Sequence, residues 1–131
     1  MPTDPEPPFA ALPRNFLRPC VLLLLRESPA HGYDLLERLQ PFGFTRTDPG
    51  RLYRALRALE REGLVRSGWE RSEQGPDRRI YELTRAGMEE LHDHAKSLQA
   101  TDAILVGFLS RYSEFVALPA PPELRSAQSQ P

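Results

Sequence analysis

Apolar residues change their spacing several times along this chain, and each change marks an element. From Asn15 to Glu27 the apolar residues (Phe16, Leu17, Cys20, Val21, Leu22, Leu23, Leu24, Leu25) would cover nearly every face of a helix. A helix apolar on nearly every face has to be buried from more than one side, so this one is expected at the centre of the fold. Ser28, Pro29 and Ala30 break the pattern. His31 to Phe42 resumes it as a second, shorter helix with Leu35, Leu36 and Leu39 on one face. Pro41 and Gly43 supply its stop, and Phe44 to Thr47 leave only a few residues of turn before the next start.

Asp48 and Pro49 give the clearest start signal in the sequence. The aspartate can accept the unpaired N–H groups of a first turn, and proline at the first helical position loses no needed donor. A third helix is predicted from there to about Glu62, ended by Gly63. Leu52, Leu56 and Leu59 fall on one stripe; Arg54, Arg57 and Arg61 point the opposite way, with Arg51 and Tyr53 on the flanks. A helix with a leucine seam behind and guanidinium groups in front has the form needed to enter a DNA major groove, because arginine can engage N7 and O6 of guanine or clamp a phosphate. An ordinary solvated helix in a chain that uses arginine as its surface cation would look similar, so the helix alone does not decide.

After Gly63 the period becomes two. Val65, Ser67 and Trp69 alternate with Arg66, Gly68 and Glu70; further on, Arg79, Tyr81 and Leu83 alternate with Ile80 and Glu82. These are two strands, joined by the polar turn Ser72 to Asp77 with Arg71, Arg78 and Arg79 beside it. Trp69 reads as a packing residue rather than a ligand platform. A basic hairpin after a basic-fronted second helix of a pair is a helix-turn-helix followed by a wing. The predicted fold is mainly α with a two-stranded wing.

A last helix is predicted after Thr84, a plausible N-cap. Leu91, Ala95, Leu98, Asp102, Leu105, Leu109, Tyr112 and Val116 recur on it at spacings of four and three, widened by Ile104, Phe108 and Phe115. One helix cannot bury such a seam, and the small core before it offers little surface to cover it, so a second copy of the chain is the expected cover. Asp102 interrupts the seam as a register-fixing polar residue, part of a ligand cavity or a solvated break. The alternative is a helix folded back on its own domain.

Length and charge refine this picture. With 131 residues the chain suits one core. We divide it into a loosely attached or disordered tail at 1–13, a winged helix-turn-helix at 14–84, a dimerisation helix at 85–117 and a second such tail at 118–131. The formal net charge of -1 excludes a globally basic nucleic-acid binder, yet residues 45–85 carry ten arginines against seven acids, a local excess of three positive charges. Cys20, the one cysteine, allows no intrachain disulfide and reads as a buried thiol. The acidic, proline-rich start does not resemble a secretion signal, and the apolar run after Pro19 is too short to span a bilayer, so a cytoplasmic protein with no membrane association is expected. No catalytic constellation, cofactor motif or metal-ligand spacing is present. His92 and His94, two apart on a helix, point to different faces. Enzymatic activity, cofactor and metal are therefore not expected.

The segments "LLLLRESPAHGYDLLERL" (Leu22 to Leu39), "DPGRLYRALRALEREGLVRSGWE" (Asp48 to Glu70) and "GPDRRIYELTRAG" (Gly75 to Gly87) together resemble the PadR-like transcriptional regulators over about Arg14 to Tyr112. Leu12 to Glu27 looks in addition like a subgroup labelled poly-β-hydroxybutyrate-responsive repressors. The resemblance implies a winged-helix homodimer, usually a repressor released by a small molecule or other signal. It implies that Tyr33 and Tyr53 hydrogen-bond phosphates, that Arg51, Arg54 and Arg57 face the groove, and that Arg78 and Arg79 are wing contacts. Arg51 stands where many relatives have threonine, which bears on base preference there. Thr47 and Gly50, beside the start of the third helix, belong to the same expected DNA-binding set. The expected dimer set is Leu91, Ala95, Leu98, Asp102, Leu105, Phe108, Leu109 and Tyr112. His31 reads as a helix-start residue. The partners expected are double-stranded DNA, a second copy of the chain and an unidentified small-molecule effector. The rival reading is a winged helix used as a protein-interaction adaptor.

Overall fold

The computed structural model describes residues 12–45 and 48–120. Residues 1–11 and 121–131, most of both expected tails, lie outside the described residues, as does Thr47.

Helix α1, Leu17–Glu27, is the central element. It packs against the second, third and fourth helices and the sheet, which is why Leu17, Cys20, Val21, Leu22, Leu24 and Leu25 are all buried. Its start falls two residues later than the pattern suggested, because Asn15 adopts a left-handed conformation (φ 58°) that ends the preceding turn. Burial pushes the Cys20 thiol up to about 12, which leaves it uncharged and inert.

Two findings differ from the pattern in the next segment. Ala30–His31 form a short strand β1, so the sheet has three strands rather than two. A two-residue strand has no period to detect, and its pairing partner lies some fifty residues away in sequence. The second helix then splits: α2 covers Gly32–Arg38, and Gln40–Phe42 tighten into a single 3₁₀ turn. Pro41 accounts for this, since it lacks the N–H for an α-helical bond and its ring would strike the carbonyl four residues earlier. Gly43 closes the turn at φ 96°. Phe16 stacks on Phe44 and meets Phe42 edge-on, fastening this corner to the start of α1.

Helix α3, Pro49–Arg61, begins as its sequence requires, with the Asp48 carboxylate accepting from the Gly50 N–H at 3.1 Å. At its end Gly63 takes φ 77°, Leu64 N–H donates to the Leu59 carbonyl and Gly63 N–H to that of Glu60. Those two bonds make a Schellman cap, which satisfies carbonyls the helix would leave unpaired. Leu52, Leu56 and Leu59 are fully buried.

Strands β2 (Val65–Glu70) and β3 (Arg78–Leu83) pair antiparallel, and β1 joins the other side of β3. The register places Val65 opposite Leu83, Ser67 opposite Tyr81 and Trp69 opposite Arg79 on one face, with Arg66–Glu82, Gly68–Ile80 and Glu70–Arg78 on the other. Helix α4, Arg85–Tyr112, starts where Thr84 Oγ1 accepts from the Gly87 N–H and donates to the Gly63 carbonyl. One threonine thereby caps α4 and ties it to the end of α3. Leu91 still packs against the core, whereas residues 101–112 are all exposed. No helix among the described residues is long and apolar enough to cross a membrane.

Candidate nucleic-acid interface

The face of α3 opposite its buried leucines carries Arg54, Arg57 and Arg61, all exposed. Arg57 and Arg61 have no ion-pair partner among the described residues. Arg54 only approaches Asp48, at 4.0 Å with both groups well solvated, a contact worth little in water. Arg51 lies with its guanidinium 5.9 Å from the centre of the Phe44 ring, so its direction is set by the corner before α3. Gly50 sits in the first turn, where its N–H serves the Asp48 cap.

The two tyrosines are placed differently. Tyr53 is half-buried and packs against the core, with its phenol end against Gly32 at the start of α2. A Cβ at Gly32 would overlap that ring, so glycine is required for α2 and α3 to approach this closely. Tyr33 is 53% exposed. Its ring stacks on His31 at 6.2 Å, and its hydroxyl accepts from Arg78 Nη1 at 3.2 Å.

His31 stands at the N-cap position of α2, as its sequence position suggests, but its side chain caps nothing. It bridges instead, with Nδ1 3.3 Å from Asp34 Oδ2 and Nε2 2.6 Å from Glu70 Oε1 on the wing. Tyr33, His31, Arg78 and Glu70 thus join the start of α2 to the outer face of the hairpin. No local sequence signal could have shown this, because Glu70 and Arg78 reach His31 and Tyr33 only through the pairing of β1 with β3.

Arg79 is tethered at both ends of its guanidinium. Nε donates to Ser67 Oγ at 3.0 Å and Nη2 lies 3.7 Å from Glu60 on α3. Ser67 Oγ in turn donates to Glu60 at 2.7 Å. Tyr53, Arg57, Glu60, Arg61, Arg79 and Tyr81 line the crevice between α3 and the wing. Burial pushes the Tyr81 phenol above its ordinary pKa, so it stays neutral there. Trp69 corrects its sequence reading: it does not pack in the core but is 67% exposed, with Arg79 over its ring at 5.3 Å. Beyond Ser67 the residues of β2 are all exposed.

Sequence reasoning also missed Arg18 on α1. Its Nη2 and Nη1 donate to Glu62, just past the end of α3, at 2.5 and 3.1 Å, and its Nε donates to Glu90 on α4 at 2.7 Å. His94 reaches the same Glu90 oxygen at 3.0 Å. The guanidinium bonds hold both carboxyls below the ordinary glutamate range. A depressed carboxylate stabilises the fold at pH above its unfolded value and loses that contribution as pH falls through its folded one. The stability difference between wild type and Arg18→Met should therefore shrink as pH drops below about 4, and denaturation midpoints across that range measure it. A constant difference would show that Arg18 acts through packing alone.

On α4 the residues of the predicted seam divide by position. Leu91 and Leu98 are partly covered by the chain itself and Ala95 is exposed. Farther along, Leu105, Phe108, Leu109 and Tyr112 are exposed at 55, 66, 47 and 43%, as is the polar Asp102 between the two halves. Among the described residues no three His, Cys, Asp or Glu side chains gather as a metal site.

Comparison with known proteins converges on one family. The model of the transcriptional regulator PadR-like family matches residues 21–93, more than half of the chain. A PadR family transcriptional regulator from Eggerthella lenta is 30% identical, with 78% of this chain and 85% of that one covered and a TM-score of 0.58. A PadR-like transcriptional regulator from Bacillus cereus is 28% identical over 71% of this chain and 90% of its own, with a TM-score of 0.65. Bacillus subtilis PadR, whose structure is in complex with operator DNA, is 20% identical over 88% and 85% with a TM-score of 0.57, a likeness of fold. No curated protein matches the chain at a significant level.

Proposed function

The chain belongs to the PadR-like family of transcriptional regulators, and from that premise we propose that it is a cytoplasmic homodimer that binds an inverted-repeat operator in double-stranded DNA and represses transcription. The family is one of regulators and not of enzymes. The observation that carries the proposal is the outer face of α3, where exposed Arg54, Arg57 and Arg61 are backed by fully buried leucines, the last two bordering a crevice shared with the wing in which arginines outnumber the one glutamate. Arginine on a rigid helix backed by a packed core is suited to bidentate contact with guanine or phosphate. In this reading residues 14–84 form the DNA-binding unit. Tyr33, Gly50, Arg51, Tyr53, Arg54, Arg57, Arg78 and Arg79 contribute to its surface, with Tyr53 and Arg79 held by their own domain as much as offered outward. Bacillus subtilis PadR, solved with its operator, supports duplex DNA as the partner.

Residues 85–117 supply the dimer contact through Leu105, Phe108, Leu109 and Tyr112, with Leu98, Ala95 and Asp102 nearer the core. A two-fold pair of recognition helices reads half-sites about one helical turn apart. Release by a small-molecule signal completes the proposal, as the family resemblance implies.

Binding to duplex DNA as a function of salt tests this against the adaptor reading. Each phosphate neutralised contributes a slope of about -0.9 in log affinity against log salt, so several contacts give a steep fall. Arg54→Ala should weaken binding by about 1 to 2 kcal/mol, roughly tenfold, with an unchanged melting temperature. Binding insensitive to both salt and Arg54 would favour an acidic protein partner. Selection of bound duplexes from a random pool should return an inverted repeat.

A further inference from the structure

We propose that Trp69 is a DNA contact of the wing, its indole lying against the sugar–phosphate backbone beside the operator half-site while Arg79 holds the ring in place; this rests on the DNA-binding reading above. Tryptophan has a large apolar surface, and leaving two-thirds of it in water forgoes burial that a strand residue normally obtains. The side chain is not loosely placed. Its cross-strand partner Arg79 covers one face of the ring at 5.3 Å, and Arg79 is itself fixed by Ser67 and Glu60. The indole is therefore oriented before any partner arrives, which lowers the entropy cost of using it.

Its surroundings specify the partner's chemistry. Trp69 shares the sheet face of Ser67 and Tyr81, the face turned toward α3. Trp69 lies two residues beyond Ser67 on β2, and its partner Arg79 is one wall of the crevice that Arg57, Glu60 and Arg61 also line. Arg57 and Arg61, which have no ion-pair partner among the described residues, would recruit an anion, and an apolar ring close by suits a ligand that alternates charge with apolar surface. A DNA strand does so, with a phosphate and a deoxyribose in every unit. The indole N–H, which has no acceptor among the described residues, can donate to a phosphate oxygen while the open face of the ring packs on a sugar. Such a contact fixes position without reading sequence.

Trp69 is the only tryptophan of the chain, so its emission reports on this site alone. The full chain would be titrated with a mixed-sequence duplex of about 40 base pairs, long enough for two half-sites, at low salt, with binding followed independently by anisotropy of a label on the DNA. Emission should shift to the blue and acrylamide quenching should fall in step with the anisotropy. Trp69→Ala should bind about fivefold to tenfold more weakly, Trp69→Phe should fall between the two, and both should melt with wild type because the residue supports no core. A duplex that binds without altering emission or quenching, and that binds Trp69→Ala as well as wild type, overturns the assignment while leaving the operator reading intact. No rise in anisotropy at any protein concentration overturns both.

Discussion

Leu105→Glu combined with Phe108→Glu is expected to give a folded monomer whose operator affinity is about a hundredfold to ten-thousandfold below that of the wild type. Both side chains are more than half exposed in the single chain, at 55 and 66%, so replacing them removes little intrachain packing. Glutamate is a good helix former, so α4 itself should persist. The loss falls on assembly. In the proposed dimer, two carboxylates from each chain would face each other across a two-fold axis, where an isologous contact doubles every error and buried like charges are strongly unfavourable. Once the chains separate, each half-site is bound independently and the gain from linking two sites, commonly that factor of about 10² to 10⁴, disappears. Light scattering would read the mass and anisotropy the affinity, with circular dichroism as the check that the helices remain. A dimeric mass for the double variant would place the interface elsewhere than on α4.

Gly87→Val should have the largest effect on folding itself. Gly87 is the buried residue of the first turn of α4, and a Cβ there would overlap the Leu64 carbonyl oxygen and the Leu83 side chain. A backbone oxygen cannot turn aside as a side chain can, so the helix start has to move off the hairpin. That movement also strains the Thr84 contacts with Gly87 and Gly63. Overpacking of this kind costs about 3 kcal/mol at its upper end, and at roughly 3–6 °C per kcal/mol for a chain of intermediate length the melting temperature should fall by about 10 °C or more. A melting temperature within a degree or two of wild type would mean that α4 docks more loosely than the Gly87–Leu64 approach indicates.

The elements legible in the sequence were those whose causes are local. Asp48, Pro49 and Gly63 bracket α3 because caps act within one turn, and Thr84 marks the start of α4 for the same reason. The leucine seam of α3 and the alternation of the hairpin follow from simple periods. What escaped depends on residues far apart in the chain. Strand β1 exists only because β3 comes to lie beside it. His31 acquires its role from Glu70, Arg18 from Glu62 and Glu90, and Trp69 its exposure from the point at which the core ends. The residues of the expected interface are not placed alike, and their sequence positions did not tell them apart: Tyr53 and Arg79 are bound into the domain, while Arg54, Arg57 and Arg61 are exposed.

Arg18 gives the molecule the geometry of a lever. The guanidinium grips Glu62 behind the end of α3 and Glu90 near the root of α4, so these two helices share a fulcrum on α1. From Glu90 to Tyr112 the long arm measures about 33 Å at the helical rise of 1.5 Å per residue. A tilt of roughly 5° at the fulcrum would sweep the far end of that arm through about 3 Å, the scale of one side-chain layer between packed helices. In the proposed dimer, small changes in how the two arms cross would, through the same pivot, change the distance between the two recognition helices, which is the quantity a fixed half-site spacing would measure.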